Sequence, residues 1–240
     1  MSAGDPVSTG AALHAEPLRL RRPREHSVSR AGLVQLAGPA GRGGLVVGLD
    51  DDRAPVPVRL FRGEPTRLAV VGEPFIVRVL AFRALAVGAR VRVVTPRPSI
   101  WRPLAGALGD DQQLVTFEPP GSSPSGGGSL VRPVLTVLDT GSQRADLRRA
   151  AAAWGTVLTL LPAVIESGAP VLRAAHLTIL QRCGETEARR ACAHLDLDPR
   201  HIPRLAHAPE DGLALVAGNE PLFLRLSATD IERRLLGDRL

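Results

Sequence analysis

The hydrophobic pattern alternates short apolar runs with stretches of helical periodicity, most clearly over residues 67–97. An apolar run at Leu68–Val71 predicts a strand that Gly72 ends. Pro74 stands where the first turn of a helix tolerates proline, and apolar residues follow at three- to four-residue spacing as far as Ala86. A glycine and a valine-rich run then predict the helix end and a second strand. This strand–helix–strand unit predicts parallel strands joined by a right-handed crossover.

The rest of the chain continues the alternation. Further strands are predicted at 113–117, 131–138, 157–161 and 174–181, and further helices at 100–108, 144–153 and 185–195. Residues 199–208 are predicted to be irregular. Leu213–Ala217 and Leu222–Leu226 predict a terminal hairpin. A last helix over Asp230–Leu236 follows, in which Thr229 and Glu232 have capping-box spacing. We therefore expect a three-layer α/β fold with a mostly parallel sheet, a small N-terminal β segment and the C-terminal hairpin.

Composition changes suddenly near residue 30, which predicts a boundary there. Residues 1–30 are rich in Ala, Gly, Pro, Ser and Arg without a sustained period, and we expect a disordered, arginine-rich tail. Residues 31–240 are expected to form a single domain that opens with a β-rich segment over 31–62. The glycine-rich stretch at 38–44 is not followed by a helix, so it is interpreted as a loop.

The basic residues are all of one kind. The 240-residue chain has a net charge of +6, and its 30 basic residues are all arginine, because the sequence contains no lysine. No signal peptide is visible and only two cysteines occur, so we expect a cytoplasmic protein. Cys183 and Cys192 lack the spacing of a zinc motif and are interpreted as buried structural residues.

The turn after the first strand of a βαβ unit often binds phosphate, so the residues at Gly72 decide what chemistry is available. A phosphate-hydrolysing P-loop reads G-x-x-x-x-G-K-[ST]. Counted from Gly72, Val77 takes the place of the second glycine, Arg78 that of the lysine, and Val79 that of the hydroxyl residue. The sequence therefore excludes a complete P-loop, since no lysine is available anywhere in the chain.

Three strings resemble one known family. The string GLVVGLDDDRAPVPVRLFRGEPTRLAVVG, from Gly44 to Gly72, resembles the beginning of the motor domain of FtsK/SpoIIIE-type translocases, which include the actinobacterial type VII (ESX) secretion ATPases. The string PVLTVLD, ending at Asp139, resembles a Walker B strand with its magnesium-site aspartate. The string LTILQR, followed by a helix and a hairpin, is similar to the end of such cores. The resemblance covers roughly residues 44–236 and implies a P-loop NTPase (RecA-like) fold.

The departures from this family concern the catalytic residues. Only Gly72 is retained at the first loop, Arg78 stands at the lysine position, and Thr140 follows Asp139 where an active member has a second carboxylate. The resemblance thus implies a catalytically inactive homologue, not an enzyme, without cofactor or metal. Its vestigial nucleotide site would comprise Gly72, Arg78 and Asp139. The alternatives are a solvent-facing helical arginine at Arg78 and a polar end of a buried strand at Asp139.

Three functions remain open from the sequence. The favoured one is a scaffold or regulator of a secretion or translocation assembly, whose partner is an active ATPase of the same fold or a second copy of the chain. Such a protein would meet a membrane only through its partners. The second is a module that holds ATP or ADP at the Gly72 turn without hydrolysis. The third and least favoured is nucleic-acid binding through the arginines of the tail, Arg19, Arg21, Arg22 and Arg24.

Overall fold

The structure is a computed structural model that describes residues 44–108, 112–122, 127–139 and 152–237. The predicted arginine-rich tail, Thr140 and most of the predicted helix at 144–153 lie outside the described residues. The division into a tail and a single domain therefore stays a prediction.

The described residues form ten strands and six α-helices. The strands are β1 (Leu45–Asp50), β2 (Pro55–Val58), β3 (Thr66–Val71), β4 (Arg90–Val94), β5 (Val115–Glu118), β6 (Val134–Asp139), β7 (Gly155–Leu161), β8 (Leu177–Gln181), β9 (Gly212–Val216) and β10 (Pro221–Leu226). The helices are α1 (Pro74–Ala86), α2 (Arg102–Gly106), α3 (Ala169–Ala174), α4 (Glu185–Leu195), α5 (Ile202–Ala206) and α6 (Asp230–Leu236). Short 3₁₀ turns cover Pro98–Trp101, Gln112–Leu114, Glu166–Gly168 and Pro199–His201.

The ten strands form one sheet in the order β2-β1-β10-β9-β8-β3-β7-β6-β4-β5. The six strands from β8 to β5 are parallel to one another, whereas the other four pair antiparallel. The predicted mostly parallel α/β sheet is thus confirmed, and β9 and β10 form the predicted terminal hairpin. Among the described residues no helix is long and apolar enough to cross a bilayer.

Two local predictions were wrong. Residues 174–181 were expected to be one strand, but β8 begins only at Leu177 and α3 ends at Ala174. Pro170 lies in the first turn of α3, where proline does not disrupt a helix. This signal of a helix start was obscured by the apolar residues around it. Residues 199–208 were expected to be irregular, but they contain the Pro199–His201 turn and α5. Each of these two elements also has proline in its first turn.

Helix α1 is apolar on almost every side because other elements surround it. It contacts β1, β4 and β6 of the sheet, and also α2 and α6. A helix that is hydrophobic all round is stable in water only when it is buried in this way. Helix α1 therefore forms the centre of the larger hydrophobic core, and its start fixes the turn that follows β3.

One charged residue, Arg83, lies inside this core and ties α1 to the end of the chain. Its guanidinium donates to both carboxylate oxygens of Glu232, at 2.6 and 2.8 Å, and to the carbonyl oxygens of Val46 and Ser227. Both side chains of the pair are 2% exposed. The Glu232 carboxylate also accepts from the Thr229 N–H, which completes the predicted capping box of α6. The C-terminal helix is thus held by a dry, fully hydrogen-bonded ion pair.

We expect Glu232→Gln to lower the free energy of unfolding by about 3–5 kcal/mol, because it leaves the buried Arg83 charge without a counter-charge. The measurement is urea unfolding of the variant beside the wild type. The matched control is Glu185→Gln, which removes a carboxylate from the exposed pair with Arg189 and should cost less than about 0.5 kcal/mol. Equal losses in the two variants would contradict the picture of a dry pair.

Candidate functional site

The candidate site lies at the carboxyl ends of the parallel strands, beside β3. From β3 the chain passes through α1 to β4 on one side, whereas from β7 it passes through α3 to β8 on the other side of β3. Open parallel sheets bind ligands at such a reversal of strand order, outside the carboxyl ends of the strands. A cleft of about 600 Å³ occupies this place, lined by Gly72, Glu73, Pro74, Arg97, Pro162, Gln181, Arg182 and Glu210.

The connection between β3 and α1 is too short to form a phosphate loop. Only Gly72 and Glu73 separate the end of β3 from the first residue of α1. The positions that correspond to the P-loop glycine, lysine and hydroxyl residue, Val77, Arg78 and Val79, therefore lie within α1. Val77 and Val79 are completely buried. The backbone here has no segment that could wrap around a phosphate group.

The side chain of Gln181, at the end of β8, fills the space that the turn leaves. Its Oε1 accepts a hydrogen bond of 2.8 Å from the Glu73 N–H. A methyl group built on Gly72, whose φ is +146°, would lie only 2.3 Å from the same oxygen. Glycine is therefore required at this turn both by its backbone conformation and by the close approach of Gln181. The Gly72 N–H is also occupied, since it donates to the Leu161 carbonyl at 2.9 Å.

Asp139, the last residue of β6, is 0% exposed. Both of its carboxylate oxygens accept hydrogen bonds. Arg97 donates to it through Nη2, at 2.7 Å from Oδ1, and through Nε, at 3.2 Å from both oxygens. The Thr95 hydroxyl and the Trp101 indole N–H donate to Oδ2 at 2.8 and 2.9 Å. Thr95 also accepts from the Arg97 N–H at 3.0 Å, so it orients the segment that carries Arg97.

These contacts saturate the carboxylate. A carboxylate has about four acceptor positions, and Asp139 receives hydrogen bonds from the Thr95 hydroxyl, the Trp101 indole and two nitrogens of Arg97. Magnesium binds proteins through carboxylate oxygens, directly or through a water molecule, and either mode needs a free acceptor position. In this arrangement the guanidinium of Arg97 is the counter-charge of Asp139.

Arg78 points away from this cleft. Its Nη1 donates to the Ile100 carbonyl at 3.0 Å, and its guanidinium lies 5.9 Å from the centre of the Phe75 ring. The side chain is half-buried, and burial lowers the pKa of the Arg78 guanidinium. Its Nε has no hydrogen-bond partner among the described residues. Arg78 thus supports the Pro98–Trp101 turn that follows Arg97, and it does not line the cleft around Gly72.

Of the three predicted site residues, only Gly72 lines the cleft. Asp139 does not line it, but it is bonded to Arg97, which does. Whether any of the three takes part in nucleotide binding stays a prediction. Sequence reasoning did not identify Thr95, Trp101 and Gln181. Their roles depend on the order of the strands, which places the end of β4 beside β6 and the end of β8 beside β3.

The side chains in the described part of the chain do not suggest a metal centre. That part contains no cluster of three or more His, Cys, Asp or Glu residues able to hold an ion. Cys192 is buried and Cys183 is partly buried against the smaller hydrophobic core. Burial, then the Glu187 carboxylate and then Cys192, raise the pKa of the Cys183 thiol to about 11. A thiol of this kind is a poor nucleophile near neutral pH.

The fold is that of the P-loop ATPases. The solved structures that resemble it include VirB4 of Thermoanaerobacter pseudethanolicus, with a TM-score of 0.58 and 10% identity over 82% of this chain and 100% of that one. They also include the genome packaging NTPase B204 of Sulfolobus turreted icosahedral virus 2, in complex with AMPPCP. Its TM-score is 0.50 and its identity 11% over 69% of this chain and 100% of that one.

A third similar structure is the cytoplasmic domain of the type VII secretion ATPase EccC of Thermomonospora curvata. Its TM-score is 0.46 and its identity 12%, over 83% of this chain and 32% of that one. No protein-family model matches the sequence, and no curated protein matches it. At these identities the similarity establishes the fold alone.

We expect Arg97→Met to lower the free energy of unfolding by about 2–3 kcal/mol, because it leaves a fully buried carboxylate without its cation. Because Arg97 is itself 41% exposed, the loss of unfolding free energy should be smaller than for a completely buried pair. Urea unfolding followed by tryptophan emission measures it. The control Arg102→Met alters an exposed arginine next to Trp101 and should change stability by less than about 0.5 kcal/mol.

A double variant, Arg97→Met with Asp139→Asn, should recover part of this loss, because the buried charge is then gone. A double variant less stable than Arg97→Met alone would show that the loss comes from packing and not from the unpaired carboxylate.

Cys183 should react slowly with iodoacetamide in the folded protein. Because its thiol has a pKa of about 11, the alkylation rate at pH 8 should be about a hundredfold lower than for an ordinary exposed cysteine, and it should rise with pH until about pH 11. The measurement is mass spectrometry of a Cys192→Ser variant, in which Cys183 is the only thiol. The urea-unfolded chain provides the reference rate. Equal rates at pH 8 in the folded and unfolded protein would contradict the raised pKa.

Proposed function

We propose that this protein is a non-hydrolysing protein of the P-loop ATPase fold that serves as a scaffold or regulatory component of a translocation assembly. The observation that carries the proposal is the pairing of the buried Asp139 with Arg97, Thr95 and Trp101. The sequence resemblance to FtsK/SpoIIIE-type translocases gives the class of assembly. The fold shared with VirB4 and with a genome packaging NTPase agrees with that class.

Phosphoryl transfer in P-loop enzymes needs three components, and in this chain other residues stand in the place of each. A backbone loop and its lysine hold the phosphates, but this chain has a two-residue turn and no lysine. A hydroxyl residue and a Walker B aspartate hold Mg²⁺, but Val79 is buried at the hydroxyl position and Asp139 is bonded to Arg97. Thr140 follows Asp139 where a second carboxylate would orient water. These substitutions support the absence of hydrolysis.

A second candidate function is nucleotide binding without hydrolysis. The cleft favours it, since its volume of about 600 Å³ lies within the usual range for small-molecule sites. The exposed side chain of Arg182 and the guanidinium of Arg97 line it. The Gln181 side chain argues against it, because it already accepts from the Glu73 N–H where a phosphate oxygen would bind. A nucleotide held here would bind through arginine and without a metal ion.

The proposed partner is an active ATPase of the same fold or a second copy of this chain. We place the protein in the cytoplasm, associated with a membrane secretion complex only through such partners. Retention of the core around α1 supports this role, because a fold kept without its catalytic residues can still present the surfaces by which its relatives assemble.

The test is calorimetry with ATP and with ADP, each with and without Mg²⁺, combined with a steady-state assay of phosphate release. We expect no phosphate release and no effect of Mg²⁺ on nucleotide binding, because Asp139 has no free acceptor position. Asp139→Asn serves as the matched variant and should behave as the wild type does. Mg²⁺-dependent hydrolysis that Asp139→Asn abolishes would overturn the proposal. Metal-independent binding without turnover would favour the second candidate.

A further inference from the structure

The exposed apolar side chains of the described residues are concentrated at one edge of the sheet. Val87, Leu114, Leu130 and Val131 are 49%, 38%, 69% and 79% exposed, and they are four of the six large apolar side chains exposed in the part of the chain that the structure describes. Val87 follows the last residue of α1, Leu114 directly precedes β5, and Leu130 and Val131 lie in the loop before β6. These four residues are called the apolar rim below.

The members of the apolar rim lie near one another because the strands that follow them are neighbours. Strands β6, β4 and β5 lie side by side and parallel, so their first residues share the amino-terminal edge of the sheet. The loop before β6 is joined to the start of β4, since the Arg90 N–H donates to the Pro133 carbonyl at 2.9 Å. A methyl group built on Gly88 would lie 3.7 Å from the Val131 carbonyl oxygen. The rim is therefore an apolar strip along three adjacent strand starts, and not a set of scattered surface residues.

The loop that carries the most exposed part of the rim is held by hydrogen bonds. The Ser129 N–H donates to the Arg132 carbonyl at 3.0 Å, and the Arg132 N–H donates to the Ser129 hydroxyl at 3.1 Å. At the end of the loop the Val134 N–H donates at 3.1 Å to the carbonyl of Trp154, whose side chain is half-buried. Because the turn is already ordered, its apolar side chains lose little conformational freedom when they contact another surface.

The charges described along this edge are positive. Arg90 begins β4 and Arg132 lies in the loop before β6, and both are exposed. No aspartate or glutamate occurs in the described residues that lead into β7, β6, β4 and β5, at 152–154, 127–133, 86–90 and 112–114. The exposed Glu64 precedes β3, which lies beyond β7 from the rim, and Asp110 and Asp111 lie outside the described residues. The described edge therefore presents aliphatic side chains beside two exposed guanidinium groups.

This combination fits the surface of an anionic lipid bilayer. Exposed aliphatic side chains are buried at the boundary between headgroups and acyl chains, and arginines beside them are attracted to anionic lipids. Tryptophan, which stands here beside the loop, is enriched at the same depth. A nucleic acid would also attract the arginines, but its phosphates would leave the aliphatic side chains exposed to water. The apolar strip is thus what favours a lipid surface over a nucleic acid.

We propose that the apolar rim contacts the anionic surface of a bilayer, with Leu130 and Val131 inserted and with Arg90 and Arg132 among the headgroups. The cleft around Gly72 lies at the opposite, carboxyl ends of the strands, so it faces away from the bilayer. A contact of this size is weak and reversible, because stable anchoring needs a stronger signal. The inference rests on the proposed function, in which partners bring the protein to a membrane complex, but its test involves neither a partner nor a nucleotide.

Co-sedimentation of the full chain with lipid vesicles tests the proposal, at low ionic strength because salt screens the arginines. We expect the wild type to bind phosphatidylglycerol vesicles at lipid concentrations up to about 10 mM, and phosphatidylcholine vesicles at least about tenfold more weakly. Arg90→Gln with Arg132→Gln should weaken binding to the anionic vesicles by about fivefold for each arginine. The serine variant, Leu130→Ser with Val131→Ser, should weaken it at least about tenfold, because the inserted apolar surface is lost.

The serine variant is the decisive sample because it keeps every charge of the chain. Vesicle binding through the arginines of residues 1–30 would survive these two substitutions, whereas binding through the rim would not. The matched control is Leu222→Ser, which alters an exposed apolar residue outside the rim and should bind as the wild type does. Circular dichroism confirms that each variant is folded.

A wild type that binds no anionic vesicles would overturn the proposal, and binding of duplex DNA in its place would assign the arginines to a nucleic acid. The proposal also fails if a folded serine variant binds as strongly as the wild type, if both kinds of vesicle bind equally, or if Leu222→Ser abolishes binding. In each of these cases the conclusions on nucleotide binding and hydrolysis stand or fall by their own measurements.

Discussion

The completely buried carboxylate of Asp139 needs a permanent counter-charge, and this requirement governs the whole carboxyl edge of the sheet. A buried ion without a partner costs several kcal/mol. In a metal-dependent site a bound cation can provide the compensation, but here Arg97 provides it from within the chain. Thr95 and Trp101 complete the arrangement. The segment after β4 is therefore held against β6 by bonds within the chain.

At the turn that contains Gly72, too, a polar group is paired with another group of the same chain. The first N–H groups of a helix have no partners within the helix and attract anions. In α1 the helix begins with proline, which has no N–H, and the preceding Glu73 N–H is bonded to Gln181. The Glu73 N–H and the Asp139 carboxylate are thus both paired with groups of the chain itself. These bonds within the chain hold the carboxyl edge of the sheet together.

The sequence allowed the βαβ unit, the mostly parallel sheet and the terminal hairpin to be predicted, because each depends on local periodicity and turn residues. Gly72 was found as a candidate because it ends an apolar run, and Asp139 because its string resembles a Walker B strand. The partners of Asp139 were not found, because Thr95 and Arg97 reach it only if β4 lies beside β6. Helix α3 was missed for a different reason. It has only six residues, nearly all of them between the strands predicted at 157–161 and 174–181, and so short an element shows no clear helical periodicity.

A resident arginine differs from a bound metal ion in one respect that matters for regulation. Mg²⁺ enters and leaves with the nucleotide, so the charge of the site changes during each catalytic cycle. Arg97 is covalently part of the chain, and it donates to Asp139 through two of its nitrogens. A ligand can shift a conformational equilibrium only by binding two states differently. In the proposed function such a difference would come from contacts with protein partners, where apolar burial and ion pairs can distinguish one arrangement from another.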